Sequence, residues 1–136
     1  MKTAIVTGAT GGIGRAVVEA VNAQYRVMAF PHLPEVSQEN VDIIICCHAA
    51  SITSRVEYVM NIDVIGALKT VVPVLPAMAQ RNFGRIVLFS SIRAHYPCPG
   101  QVAYDIAKAA IEGMTRALAV EYGPYGITVN CIAPGA

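Results

Sequence analysis

With 136 residues, of which 54% are apolar and 14% charged, the chain has enough hydrophobic material for one packed domain and is no disordered polymer. A formal charge of +1 with no basic run leaves no electrostatic footprint for nucleic acid or an acidic membrane surface. One domain over residues 1–136 is therefore expected.

Met1-Lys2 leads straight into an apolar run, without the pattern of a signal peptide. Thr3–Thr7 reads as a buried parallel strand ending in Gly8. Glycines follow at 11, 12 and 14, and a helix then sets Ile13, Val17, Ala20 and Val21 on one face. Arg26–Phe30 is the next strand. Pro31 and Pro34 interrupt the chain, and Pro34–Asn40 has room for a helical turn at most.

Val41–Cys46 is apolar throughout, as in a strand covered on both faces, and Arg55–Gln80 is mainly helical. The apolar stretch near Val71–Ala79 is short and carries Pro73 and Pro76, so no membrane-spanning helix is expected. Gly84–Phe89 is a strand with Ser90 and Ser91 at its carboxyl end. Pro97–Gly100 is a turn, Ala103–Glu121 a helix and Ile127–Ile132 the last strand. This alternation implies an α/β fold, a doubly wound parallel sheet of about five strands with right-handed crossovers.

The cysteines at 46, 47, 98 and 131 lack framework spacing, which fits a reducing cytoplasm. Cys46-Cys47-His48 is not read as a metal site, because adjacent strand residues point to opposite faces. Thr7-Gly8-Ala9-Thr10-Gly11-Gly12-Ile13-Gly14 lies between a strand and a helix, where glycines let a pyrophosphate approach backbone N–H groups. Tyr104 and Lys108 stand one helical turn apart on one face, where the cation favours the phenolate. Ser91 ends a strand at the edge where such sheets bind ligands, with its hydroxyl free to bond a carbonyl oxygen. Taken singly, Ser91 reads as a strand-end cap and Lys108 as part of a solvated face.

In order, TGATGGIG, GRIVLFSS, YDIAK and VNCIAPG resemble the classical short-chain dehydrogenase/reductase family, nearest in flavour to 3-oxoacyl carrier-protein reductases and sugar or alcohol dehydrogenases. The resemblance implies a Rossmann-type sheet of order 2-1-4-5-6 in the family's strand naming. It also implies hydride transfer between NADP or NAD and a carbonyl or secondary alcohol; Pro31 and His32, where an acidic residue would mark NAD, tip the balance slightly towards NADP. It makes Tyr104 the general acid/base, Ser91 the group orienting the carbonyl, and Lys108 the holder of the nicotinamide ribose. It puts the pyrophosphate on Gly8, Thr10, Gly11, Gly12, Ile13 and Gly14, and the nicotinamide beside Pro134 and Gly135. A homodimer or homotetramer built on the long helices is the implied assembly, with Val71, Val74, Leu75, Ile111, Met114 and Leu118 as its apolar candidates.

The chain departs from the family pattern in four places. Only Pro31–Asn40 stands where the family has two helices and a strand; ten extended residues reach about 33 Å, enough for the crossover, but the adenine side loses a wall. The family's Asn-Asn-Ala-Gly corresponds to Cys46-Cys47-His48-Ala49 or to Cys47-His48-Ala49-Ala50; Ala49 lines the adenosine side in either register. Asp63 occupies the place of the catalytic asparagine, and Asn61, about 200° around the helix, is no substitute. The family's substrate-covering segment lies beyond Ala136. Near position 31, where an acidic residue would hold a ribose 2′-hydroxyl, the chain has Pro31 followed by His32. Two other readings stand beside this one: a catalytically degenerate nucleotide-binding or partner-binding scaffold, and an extended-type epimerase or dehydratase, whose glycine spacing also fits Gly8, Gly11 and Gly14.

Overall fold

A computed structural model describes residues 1–34, 40–51 and 55–135. Five strands, β1 (Thr3–Thr7), β2 (Arg26–Phe30), β3 (Ile43–Cys46), β4 (Gly84–Phe89) and β5 (Ile127–Ile132), form one sheet of order β2-β1-β3-β4-β5. Every pairing is parallel. This is the expected Rossmann-type sheet. Its order reverses between β1 and β3, so their carboxyl ends flank the crevice in which such sheets take ligands. Thr7 and Cys46 face each other there.

Helix α1 (Gly12–Val21) follows β1, and α3 (Val102–Tyr122) precedes β5. Between β3 and β4 runs α2, a helix over Val56–Gln80 that includes a π-helical turn at Met60–Ile65 and a 3-10 turn at Val72–Val74. Sequence reading held this stretch too broken to span a bilayer. In fact α2 is long and apolar enough, with a mean hydropathy of 1.6. Pro73 and Pro76 fall in the first turns of helical segments, where a missing N–H is tolerated, so they do not break it. Val59, Val71, Val74, Leu75 and Met78 nonetheless point into the domain's core.

Alternation along the strands divides the core between the two faces of the sheet. Ile5, Ile44, Ile86, Leu88, Ile127 and Val129 pack against Val71, Val74, Leu75 and Met78 of α2 and Ile111 and Leu118 of α3. Ala4, Val6, Ile43 and Ile45 pack against α1 through Val17, Val18 and Val21. The expected face of α1 is corrected in two places: Ala20 is exposed and Ile13 is 46% exposed, turned towards the crevice. The assembly candidates are corrected as well. Val71, Val74, Leu75, Ile111 and Leu118 are buried inside this chain, whereas Val56, Ile65 and Val72 of α2 and Ile106 and Val120 of α3 are exposed.

Strand β3 starts at Ile43, two residues later than expected; just before it, the Asp42 side chain accepts the Thr3 N–H at 2.9 Å. The turn expected over residues 34–40 falls at positions 35–39, outside the described residues.

Candidate functional site

Two cavities open along the carboxyl edge. One, of about 640 Å³, lies by the glycine turn and is lined by Gly8, Thr10, Gly11, His32, Leu33 and Tyr58 among others. The other, of about 380 Å³, is lined by Ile13, Ser91, Tyr104, Lys108, Pro134 and Gly135 among others. Cys47, His48 and Ala49 belong to both and form the wall between them.

The glycine turn is shaped by backbone contact. Gly8 has φ +64°, and a Cβ there would meet the His48 nitrogen at 2.6 Å. A Cβ on Gly14 would run into the Gly8 carbonyl oxygen. These two positions admit no side chain, whereas a Cβ on Gly12 would meet nothing within 4 Å. Gly14 is thus buried support for the turn, and Gly12 is its open lip. Beside the glycine turn the larger cavity has a wall that sequence reading did not foresee: Leu33 packs so closely over Gly66 of α2 that a Cβ there would meet its Cδ1 at 2.7 Å.

Helix α3 carries Tyr104 and Lys108 to the smaller cavity, with the ammonium 5.3 Å from the phenol ring centroid. Lys108 is 3% exposed, so it is no solvated helix face. Its Nζ donates to the Phe89 carbonyl at 3.3 Å and stands 3.0 Å from Asp63 Oδ2. The Asp63 contact is an ion pair without directed hydrogen-bond geometry. Asp63 Oδ1 accepts the Ala50 N–H at 2.6 Å, which ties α2 to the segment after β3. Asp63 thus lies behind Lys108 rather than on the cavity wall, and Asn61 is exposed on another side of the helix.

Ser91 is nearly buried, and its Oγ accepts the Arg93 N–H at 3.2 Å, capping the 3-10 turn Ile92–Ala94. The strand-end cap and the cavity-facing hydroxyl are one and the same group. The Ile92 N–H donates to the Pro134 carbonyl at 3.1 Å and holds Pro134-Gly135 against this turn.

Sequence reading gave no role to His48, Arg93 or Gln101, which also line the smaller cavity. His48 Nδ1 is 2.6 Å from Thr7 Oγ1, and its Nε2 is buried without a hydrogen-bond partner among the described residues. Burial pushes this imidazole below its ordinary value of 6.5, against the opposing pull of Asp63. Burial also pushes the Cys46 thiol up to about 12 and the Cys47 thiol up to about 11, so neither is a ready nucleophile. Only the position of Arg93 two residues after Ser91 could have flagged it in the sequence.

Residues 40–136 match the short chain dehydrogenase family. The chain belongs to this family. The family segment carries β3, β4, β5, Ser91, Tyr104 and Lys108. Oxidoreductase UcpA of Salmonella typhimurium is 44% identical over 80 residues, covering 58% of this chain and 30% of UcpA. The chain thus matches under a third of the length of this curated relative. A short-chain dehydrogenase/reductase-family oxidoreductase from Burkholderia thailandensis superposes with a TM-score of 0.85 at 26% identity, covering 99% of this chain and 68% of that one. A short-chain dehydrogenase from Leptospira borgpetersenii, solved with bound NAD+, has a TM-score of 0.84 at 23% identity, covers 99% of this chain and 71% of that one, and shares the fold.

Proposed function

We propose that this short-chain dehydrogenase transfers a hydride between NADP or NAD and a carbonyl or secondary-alcohol substrate, using Ser91, Tyr104 and Lys108. The observation carrying this reading is that all three line one cavity, and that this cavity shares the wall Cys47–Ala49 with the cavity at the glycine turn. The residues present fit a dinucleotide: a close-packed turn with an open lip at Gly12 lies at the amino end of α1, where backbone N–H groups favour a pyrophosphate. Gly8, Thr10, Gly11, Gly12, Ile13 and Gly14 would hold that group, with Ala49 on the adenosine side and Pro134, Gly135, Tyr104 and Lys108 at the nicotinamide end. His32 is among the described residues lining the larger cavity, in keeping with the lean towards NADP.

A bound nicotinamide supplies or accepts the hydride. Ser91 Oγ is held by the Arg93 N–H and keeps its own hydrogen to donate to the substrate oxygen. Tyr104 gives its phenolic proton to that oxygen in reduction and takes it back in oxidation. The buried Lys108 ammonium beside the ring stabilises the phenolate left behind. The resemblance to 3-oxoacyl carrier-protein reductases and sugar or alcohol dehydrogenases extends the proposal to substrates of those kinds. A cytoplasmic homodimer or homotetramer completes it.

One observation favours the non-catalytic scaffold as a second reading: the Lys108 charge is already met by Asp63 at 3.0 Å. Titration with NADPH and NADH, followed by nicotinamide fluorescence, tests cofactor binding. A carbonyl panel run with the wild type and Tyr104→Phe then tests chemistry. Saturable binding with turnover abolished in Tyr104→Phe supports hydride transfer. Binding without turnover on any carbonyl selects the scaffold, and no binding of either cofactor overturns the nucleotide site.

A further inference from the structure

Arg93 lines the same cavity as Ser91, Tyr104 and Gln101. Its backbone N–H bonds Ser91 Oγ, so the short turn fixes the start of the arginine side chain relative to the serine hydroxyl. The guanidinium is held from behind. Nε donates to Asp105 Oδ1 at 3.3 Å, and Asp105 follows Tyr104 directly on α3. The other Asp105 oxygen is occupied by the Cys98 N–H at 3.0 Å. Arg93 Nη2 is buried and has no hydrogen-bond partner among the described residues.

A buried donor without an acceptor is destabilising, and a guanidinium offers a planar fork suited to a carboxylate. The charge around the cavity points the same way. Its described lining contains Arg93 and Lys108 but no carboxylate, and Lys108 is already paired with Asp63 behind it. Arg93 thus brings to this cavity a guanidinium whose Nη2 no acceptor among the described residues meets, beside Ser91 and Tyr104.

We propose that Arg93 recognises a carboxylate on the substrate, so that the cavity selects small oxo acids or the corresponding hydroxy acids over neutral carbonyl compounds. This rests on the reading of the cavity as the substrate site. Asp105 serves as a positioning residue that orients the guanidinium, and its own oxygens are spent on Nε and Cys98.

The test uses the whole chain with NADPH, and benzoylformate and acetoacetate, each beside its methyl ester. Expected is a kcat/KM for acid above ester, and an Arg93→Gln variant whose loss on the acid exceeds its loss on the ester by about 10- to 100-fold, the range of a charge-assisted hydrogen bond. Asp105→Asn, whose amide oxygen can still accept from Arg93 Nε, keeps the preference for acid over ester. Titration calorimetry of both acids in the Tyr104→Phe background, with and without NADPH, reads the site independently of turnover. If neither acid nor ester turns over, yet acid binds and Arg93→Gln abolishes that binding, the hydride-transfer reading fails and the carboxylate site stands. Equal treatment of acid and ester, equal damage to both in Arg93→Gln, or no acid binding to the wild type overturns the proposal.

Discussion

Replacement of Asp63 separates two jobs held by one carboxylate. Its Oδ1 takes the Ala50 N–H, and its Oδ2 faces Lys108 with both side chains almost wholly removed from solvent, at 0% and 4% exposure. Asp63→Ala leaves a buried ammonium unpaired, a loss of about 3–5 kcal/mol. It also leaves a backbone donor unmet, adding about 1–3 kcal/mol. Against a total of roughly 5–15 kcal/mol for a domain, this removes much of the stability. Asp63→Asn can keep its carbonyl oxygen on Ala50 and so loses mainly the ion pair. The double variant Asp63→Asn/Lys108→Met takes away the stranded charge and recovers most of the deficit, since an apolar side chain of similar length replaces a buried ion nearly neutrally. Urea denaturation followed by circular dichroism, with unchanged slope, measures all three. The reasoning is refuted if Asp63→Ala costs under about 1 kcal/mol, or if the double variant is no more stable than Asp63→Asn.

Three further outcomes are expected. Because burial lowers the His48 pKa, the unfolded chain binds more protons than the folded one from 6.5 down to the folded value; stability therefore falls as pH drops through that window, and His48→Gln flattens the fall in urea midpoints measured from pH 8 to 5. Gly14→Ala meets a fixed carbonyl and costs about 2 kcal/mol or more, whereas Gly12→Ala stays within about 0.5 kcal/mol of wild type yet weakens NADPH binding in a fluorescence titration. The exposed Val56, Ile65, Val72, Ile106 and Val120 predict a dimer or tetramer by light scattering at micromolar concentration, and a monomeric mass refutes it.

Four of the five strands were legible in the sequence to the residue, because a sheet covered on both faces is written as short runs of Val, Ile and Leu between glycine and proline breaks. The strand order followed from alternation with helices together with the resemblance. The continuity of α2 was harder to read: Pro73 and Pro76 look like breakers until local winding puts each near a segment start. At the site, spacing brought out Tyr104 and Lys108 on α3 and Ser91 just past the end of β4, and the resemblance brought out Asp63. Long-range contacts stayed hidden. Nothing local says that Leu33 reaches Gly66, that the His48 ring meets Thr7, or that Arg93 leans on Asp105, since each depends on how separate segments meet in the folded chain.

The π-helical turn Met60–Ile65 sets Asp63 on a stretch whose winding depends on chain length. Such a turn closes i→i+5 bonds and so accommodates one residue more than ordinary α winding. Loss of one residue there lets the helix rewind as regular α, with Val59 on one side and Val71 on the other still seated in the interior. The turn is a spare link in an otherwise rigid rod. A one-residue deletion there would exchange the side chain presented to Lys108, so its cost would be set by the lost Asp63 contacts rather than by the packing on either side.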